Sequence, residues 1–336
     1  MFEAVGPGVA HVTATVRGVT SAAQTITVIP PQPMLVHRYS FNEPAASPAA
    51  GLPVHDSVGV QDGLVFGQNT AFTGSQISLT PDNTIYTNDK NNYVELPAGL
   101  ISSYDAVTLD IWFTASANRM WARIYDFGYQ NTAGSGLGYL DAPVFDNSTP
   151  NVLAVDGNDG VATVTARANR SLDNATTHLT VVYDKPGTSS IRIYTNGLFA
   201  GSATLAATNI VPRNINDINC YLGHSQYVGD PAFSGSYDEV RIYSGALSDA
   251  QVAAINTAGK DSVATTLPPR VLMTPSGANL VFSWPTTSGF TLKRSTAGVV
   301  PLSAYSGVGG ETVSGALTTV TIPAPTTTTF YLLSNP

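Results

Sequence analysis

Apolar and polar residues alternate over short runs along most of the chain. In the run from Val107 to Phe113, every second residue is a large apolar one, and Thr108, Asp110 and Trp112 lie between them. A period of two is typical of a strand, whose successive side chains point to opposite faces. At least ten such runs lie between Leu35 and about Lys260, among them Val107 to Thr114, Trp121 to Phe127, Leu179 to Asp184, Ile191 to Thr195 and Tyr237 to Tyr243. The pattern predicts an all-β protein.

Two local signals refine this prediction. Asn196 and Gly197 stand between two strand runs, and this pair favours a type I′ hairpin turn because both residues tolerate positive φ. The segment from Leu247 to Ile255 changes to helical spacing. Ser248 with Gln251 three residues later forms the pattern of a capping box. We therefore expect one short helix packed on the sheets.

Breaks in the pattern predict three parts. Residues 8–29 hold two alternating runs, Val9 to Val16 and Thr25 to Ile29, which predict a β-hairpin. They look like the last two strands of a bacterial immunoglobulin-like repeat, or they pair with something else. The predicted domains are 1–33, the hairpin and a Pro-rich linker; 34–262, a β-sandwich; and 263–336, a small β-sandwich of immunoglobulin or fibronectin type.

The last part is marked by a Thr- and Pro-rich stretch, Thr265 to Arg270. Its strand-like runs are Ala278 to Trp284, Thr291 to Arg294, Leu317 to Ile322 and Thr329 to Leu333. A part of this size is near the lower limit for an independent core, so docking against the central part is one expectation.

Composition excludes some classes of partner. The net charge is −8 and charged residues make up 11% of the 336 residues, with Lys and Arg scattered, so nucleic acid is not expected as a partner. Cys220 is the only cysteine, which excludes an internal disulfide. No apolar run has the roughly 20 residues needed to span a bilayer, so membrane insertion is not expected. The N-terminus lacks the pattern of a signal peptide, and we interpret Met1 as the start of a fragment.

Nine segments follow one another in a recognisable order: Leu35 to Glu43, His55 to Gly59, Tyr93 to Pro97, Val107 to Trp112, Thr177 to Asp184, Ile193 to Gly197, Leu222 to Gly223, Phe233 to Tyr243 and Ala246 to Ser248. In sequence and order they resemble laminin-G-like domains of the concanavalin A-like lectin/glucanase superfamily. The resemblance covers about two thirds of the chain. It implies a two-sheet antiparallel jelly roll that is extracellular or on a cell surface and binds carbohydrate or protein.

The same resemblance implies a calcium site. Its ligands would be Asn42, the backbone carbonyl of Gly74, and Asp238, which supply the oxygen donors that this ion prefers. The alternative is that Asn42 caps a turn and Asp238 bonds to a neighbouring strand.

Catalysis is a weaker hypothesis. The superfamily includes laminarinase-type glucanases, which carry a Glu-x-Asp-x-x-Glu pattern on one strand, and this chain lacks it. Glycoside hydrolysis needs two carboxyl groups roughly 5 to 9.5 Å apart in one cleft. Asp238 and Glu239 are adjacent on a predicted strand and would face opposite ways. His178 reads as a packing residue, and the glycine run from Gly134 to Gly138 as a loop.

Two segments are candidates for ligand binding. Alternation would place Trp121, Arg123 and Tyr125 on one face of a strand, where rings stack on sugar C–H faces and a guanidinium donates to hydroxyls. The alternative is a core-directed face with Arg123 paired to an internal acid. The loop from Gly223 to Pro231 is the second candidate, through His224, Gln226, Tyr227 and Asp230, or else it is only a polar turn.

We therefore predict an extracellular, calcium-stabilised module that binds a polysaccharide or a glycoprotein glycan. The first alternative is a structural or adhesive subunit that binds copies of itself by β-strand addition through the N-terminal hairpin. The second alternative is a glycan-active hydrolase or lyase.

Overall fold

The computed structural model describes most of the chain. The described residues are 8–13, 15–16, 19–22, 24–28, 33–82, 92–116, 119–146, 152–172, 174–263, 272–285, 290–297, 305–314 and 317–334. They divide into two compact units. Residues Leu35–Ala264 form the central unit, and Met1–Met34 together with Thr265–Pro336 form the terminal unit. The separate domains predicted at 1–33 and 263–336 stay a prediction.

In the N-terminal part of the terminal unit, the residues that the structure describes form four short strands. They are β1 Gly8–Val12, β2 Thr15–Val16, β3 Val19–Thr20 and β4 Gln24–Val28. β1 pairs antiparallel with β4, with His11 opposite Thr25, and β2 pairs with β3. The predicted hairpin is therefore present.

The described residues of the central unit form sixteen strands, a 3-10 helix and an α-helix. The strands are β5 Met34–Tyr39, β6 Pro53–Val54, β7 Gly63–Phe66, β8 Thr70–Phe72, β9 Ile77–Leu79, β10 Tyr93–Leu96, β11 Ala106–Ala115, β12 Arg123–Gln130, β13 Gly136–Pro143, β14 Leu153–Asn158, β15 Thr163–Ala168, β16 Ala175–Asp184, β17 Ser190–Thr195, β18 Leu198–Thr204, β19 Asn219–Leu222 and β20 Gly235–Ser244. The 3-10 helix is Pro212–Asn214, and the α-helix α1 is Asp249–Ala258.

These strands form two antiparallel sheets. Sheet I has the order β15-β14-β13-β12-β19-β10-β7-β6, and sheet II has the order β18-β17-β16-β11-β20-β9-β8, with β5 also pairing with β20. One apolar cluster fills the space between them and includes Tyr39, Phe113, Tyr125, Val181 and Tyr237. This two-sheet sandwich is the predicted fold class.

The outer face of sheet II is covered as well as its core face. The apolar residues of β11 at Val107 to Phe113 face the core as predicted, but Asp110 and Trp112 on the other face are also buried. His178 stacks on Trp112 with ring centroids 3.7 Å apart, and its Nδ1 lies 2.9 Å from Oδ1 of Asn256 on α1. His178 is thus a packing residue, as predicted, and α1 occupies this face.

The helix and the hairpin turn form where the sequence predicts them. The Ser248 side chain accepts the N–H of Gln251, whose own side chain accepts from the backbone N–H of Ser248, so the capping box is complete. Asn196 and Gly197 both have positive φ, 52° and 78°, in the turn between β17 and β18. A side chain at Gly197 would collide with Asn256, so this glycine also lets α1 approach the turn.

Seven strands are formed by the described residues in the C-terminal part of the terminal unit. They are β21 Leu272–Ser276, β22 Asn279–Pro285, β23 Thr291–Ser295, β24 Ser306–Gly307, β25 Thr312–Ser314, β26 Leu317–Pro323 and β27 Phe330–Ser334. They form a four-stranded sheet, β21-β22-β26-β25, and a three-stranded sheet, β24-β23-β27. Phe282, Trp284, Leu292 and Val320 belong to their core. The immunoglobulin-like character of the flanking parts stays a prediction.

Within the described part of the chain, no helix has both the length and the apolar character needed to cross a membrane.

Candidate functional site

The outer face of sheet I carries the polar and aromatic side chains that a ligand could reach. Val65, Val94 and Leu222 on β7, β10 and β19 are buried in the core. Because alternate residues of a strand face opposite ways, their neighbours Tyr93 and Tyr221 project from the outer side. The candidate site is built on this face and on the loop that follows β19.

A β-bulge at the start of β12 overturns the first predicted constellation. Arg123 pairs with Pro143 and Tyr125 pairs with the preceding residue, Ala142, so the alternation shifts between them. Tyr125 is fully buried in the core, where its hydroxyl lies 2.8 Å from that of Tyr183 on sheet II. The prediction that Trp121, Arg123 and Tyr125 share one face is therefore wrong, because one extra residue reverses the face of all that follow.

Arg123 is a buried ion-pair centre. Its Nε lies 2.7 Å from Oδ2 of Asp141, and its Nη2 lies 3.0 Å from Oδ2 of Asp230. Its Nη1 donates to the carbonyl of Trp121 at 2.6 Å. Burial by itself lowers the pKa of Arg123, but Asp141, Asp230 and Asp126 outweigh it and hold the pKa above its usual value. Only 3% of the Arg123 side chain is exposed, so Arg123 forms ion pairs inside the protein, as the alternative interpretation of the sequence predicts.

Three aspartates form a ladder across adjacent strands beneath this arginine. Asp126 on β12 pairs with Asp141 on β13, which pairs with Asp156 on β14. All three are buried, and burial raises the pKa of each carboxyl, that of Asp126 to about 7. We call these residues the aspartate ladder. Its carboxyls are covered, so a substrate cannot reach them in this conformation.

The loop from Gly223 to Pro231, called here the 223–231 loop, is anchored to this ladder. The backbone N–H of Gln226 donates to Oδ2 of Asp126 at 2.8 Å. The side-chain amide of Gln226 donates to the carbonyls of Asp126 and Asn219, and its oxygen accepts from Asn219. Gln226 is fully buried and holds the loop, so it does not face a ligand as predicted.

The glycines just before and within β13 make room for the 223–231 loop. A side chain at Gly134 would collide with Val228, and one at Gly136 would lie 2.8 Å from the ring of Tyr227. The N–H of Val228 donates to the carbonyl of Gly134. Gly136 and Gly138 lie in β13, so the prediction of a loop throughout this run is wrong in part. The close approach of another backbone segment is the reason for glycine here.

Four rings form a row on the outer face beside the 223–231 loop. Phe66 and Tyr93 stack with centroids 4.9 Å apart, and Tyr93 and His224 stack at 4.6 Å, while Tyr221 lies edge-on to Tyr93 and His224. These spacings match the separation of neighbouring strands, about 4.8 Å. Both faces of Tyr93 are therefore covered, and the row presents ring edges to solvent. Burial raises the pKa of Tyr93 to about 12.

Trp121 is a partly exposed indole of the site, whereas Trp112 and Trp284 are buried. Its backbone has φ of 71°, a conformation that a bulky residue rarely adopts. The N–H of Trp121 donates to the carbonyl of Phe145 at 2.9 Å, and the Arg123 guanidinium carbon lies 5.3 Å from the indole centroid. Strain of this kind persists where surrounding contacts impose it, often at ligand sites.

The two predicted ligand segments meet in one place through the contact of Arg123 with Asp230. Four of the predicted residues are partly exposed, namely Trp121, His224, Tyr227 and Asp230. The other three, Arg123, Tyr125 and Gln226, are buried. Sequence reasoning missed Phe66, Tyr93, Tyr221 and the aspartate ladder. Alternation in Tyr93 to Leu96 and in Asn219 to Leu222 indicates their outward residues, but not which strands are neighbours.

The predicted calcium ligands lie in neighbouring segments. Gly74 lies in the turn between β8 and β9, and Asp238 follows Tyr237, which pairs with Ile77 of β9. Asn42 precedes Ala46, which bridges to Phe72 of β8. The pKa of Asp238 is raised by burial. Asp238 supplies the one carboxylate of this predicted donor set. Among the residues described, no three His, Cys, Asp or Glu side chains are grouped to hold a metal ion.

Similarity to known proteins agrees with this sandwich architecture. Residues 88–253 match the family model Laminin_G_3 of the concanavalin A-like lectin/glucanases superfamily. That match covers slightly less than half of the chain and includes β10 to β20, which carry most of the candidate site. No curated protein sequence is detectably similar to the chain.

Three solved structures resemble the chain at low identity. Domain 4 of a GH43 extracellular arabinanase from Geobacillus stearothermophilus, in complex with arabinotriose, is 19% identical, with 67% of this chain and 98% of that one covered and a TM-score of 0.48. A sialidase from Trypanosoma rangeli is 12% identical, with 66% and 32% covered and a TM-score of 0.47. The CBM40 module of a Ruminococcus gnavus IT-sialidase, bound to α2,3-sialyllactose, is 14% identical, with 51% and 98% covered and a TM-score of 0.40.

Proposed function

We propose that the central unit is an extracellular carbohydrate-binding module that holds a glycan chain on the outer face of sheet I, beside the 223–231 loop. The observation that carries this proposal is Trp121, a partly exposed indole in a strained backbone conformation, whose carbonyl accepts a hydrogen bond from the buried Arg123 guanidinium. An aromatic ring fixed in this way offers an apolar surface with little entropy left to lose on binding.

The neighbouring groups supply what a sugar needs besides an apolar surface. Sugars present C–H faces that pack on aromatic rings, and hydroxyls that exchange hydrogen bonds with polar side chains. Asp230 and Tyr227 lie in the same loop and are partly exposed, and the edges of Tyr93 and His224 continue the surface away from Trp121. The arrangement suits an extended chain of several sugar units.

The test is Trp121→Ala, with binding measured on a glycan array and then by calorimetry with the best oligosaccharide. We expect a loss of affinity of about tenfold to a hundredfold, since stacking residues contribute most of the binding energy in such sites. Phe199→Ala is the matched control, because Phe199 is an exposed aromatic residue on β18 at the edge of sheet II. Equal binding by the Trp121 variant and the natural protein would remove this site.

We further propose that calcium stabilises the central unit through Asn42, the Gly74 carbonyl and Asp238. The register of β20 with β9 and the bridge of Ala46 to Phe72 bring these three segments to one turn, which supports the proposal. Calcium at tenfold or more above its Kd should raise the melting temperature by a few degrees. Asp238→Asn should lose this increase, whereas an unchanged melting curve after chelation would contradict the proposal.

Self-association through the hairpin is a second candidate function, and one observation favours it. Among the described residues, β1 and β4 form a two-stranded sheet of their own, which leaves each with an outer edge. Such edges can accept a strand from another molecule. Light scattering should show a mass that grows with concentration, and Ala10→Pro should reduce it. A constant monomer mass would exclude this role.

A further inference from the structure

Several carboxyl groups lie around the proposed sugar site. Glu95 projects from β10 on the outer face of sheet I, directly opposite Tyr221, and is half-buried. Asp126 and Asp141 lie behind the 223–231 loop, and Asp230 lies within it. Arg123 contacts this loop, and its Nε, Nη1 and Nη2 are all engaged by protein acceptors. With 3% of its side chain exposed, Arg123 is covered from a ligand carboxylate.

The tyrosines of the site respond to the same charges. Burial first, and then the carboxylate of Glu95, raises the pKa of both Tyr93 and Tyr221. Burial and then Asp141 raise the pKa of Tyr139, which contacts Tyr227. Among the described residues, the charged groups that raise these three pKa values are acids, so the ring row lies near carboxyl groups.

Two further arginines among the described residues bear on this charge. Arg167 on β15 forms an ion pair with Asp146. Arg119 is exposed and lies two residues before Trp121, so it is a cation at the margin of the site that an acidic sugar could use. Because Arg119 also interacts with another group of the protein, its contribution to ligand binding has to be measured directly.

We propose that this site selects neutral glycans and rejects anionic ones such as uronate or sialylated chains. The inference rests on the proposed function and adds the substrate class. A ligand carboxylate beside Glu95 would meet a like charge, and Arg123 is buried and already paired with Asp141 and Asp230. At the dielectric of a protein surface, repulsion of this kind weakens binding on the order of tenfold. Salt screens it, so selectivity should fall with ionic strength.

The experiment uses the full chain and matched sugars. Cello-, manno- and galacto-hexasaccharides are compared by calorimetry with their own derivatives in which the primary hydroxyls are oxidised to carboxylates, together with 3′-sialyllactose. The measurements are made near pH 8, where imidazoles are ordinarily neutral, at about 0.02 M and about 0.5 M salt. We expect the neutral form of whichever hexasaccharide binds to be preferred about tenfold in low salt, and the preference to shrink in high salt.

Two variants assign the effect. Glu95→Gln should lower the neutral-to-anionic preference severalfold, and Arg119→Gln should leave the preference in place. Equal or tighter binding of the oxidised sugars by the natural protein overturns the inference while the proposed function stands. Anionic binding that Arg119→Gln abolishes overturns it as well. Failure of every sugar, neutral or anionic, to bind would overturn both proposals.

Discussion

Arg123 is the residue on which the polar contacts of sheet I's outer face converge. It pairs with Asp141 and Asp230, lies 3.6 Å from Asp126, and fixes the carbonyl of Trp121. A buried pair of this kind does not by itself imply extra stability, because desolvation offsets much of the attraction. Removing one partner is different, since it leaves uncompensated charges in the interior.

We expect Arg123→Met to lower the free energy of unfolding by about 3–5 kcal/mol near neutral pH. The deficit should shrink near pH 5, because the ladder carboxyls, whose pKa values burial already raises, become neutral there. Urea denaturation at the two pH values measures both effects. Arg213→Met is the control. Arg213 and Asp105 are about half exposed, and such pairs contribute less than about 1 kcal/mol. Equal losses in the two variants would contradict this role.

At the scale of elements, the 223–231 loop keeps its shape because three elements hold it. Asp126 of β12 accepts the N–H of Gln226, Asn219 of β19 bonds to the Gln226 side chain, and the glycines before and within β13 leave space for Tyr227 and Val228. A loop fixed to rigid strands can place side chains for recognition without a large ordering cost.

Gly136→Ala tests this packing. The added methyl group would lie 2.8 Å from a ring carbon of Tyr227 and 3.0 Å from the ring of Tyr139. Overpacking of this kind costs about 1–3 kcal/mol unless the loop moves away. We expect the loop to move, so sugar affinity should fall about tenfold by calorimetry while the melting temperature changes little. Gly229→Ala in the same loop meets nothing within 4 Å and should bind normally. Unchanged binding by both variants would refute the coupling.

At the scale of the whole molecule, the aspartate ladder makes stability depend on pH. The pKa values of Asp126, Asp141 and Asp156 are raised in the folded protein, so the fold holds protons that the unfolded chain releases. Their stabilising contribution is complete below the ordinary pKa of a carboxyl and is lost as pH rises through the raised pKa of each, which for Asp126 is about 7. Asp56, Asp62 and Asp159 have lowered pKa values, and their contribution is lost only at acid pH.

The free energy of unfolding should therefore fall between about pH 5 and about pH 8, by on the order of 2 kcal/mol from Asp126. Asp126→Asn is neutral at every pH and should flatten this dependence. It should also be more stable than the natural protein at the higher pH. Urea titrations across this interval measure the slope. A variant whose slope equals that of the natural protein would show that Asp126 does not hold the proton.

The sequence by itself determined the all-β class from its repeated spacing, and it determined the capping box at Ser248 and the turn at Asn196 from residues close in sequence. The two-sheet arrangement was implied by the resemblance to laminin-G-like domains and was not shown by spacing. The tertiary structure decided which of the candidate residues a ligand can reach. A one-residue bulge turned Tyr125 into the core, and strand order aligned Asp126, Asp141 and Asp156. Bulges and non-local pairing depend on how strands fit together, and local spacing does not encode that fit.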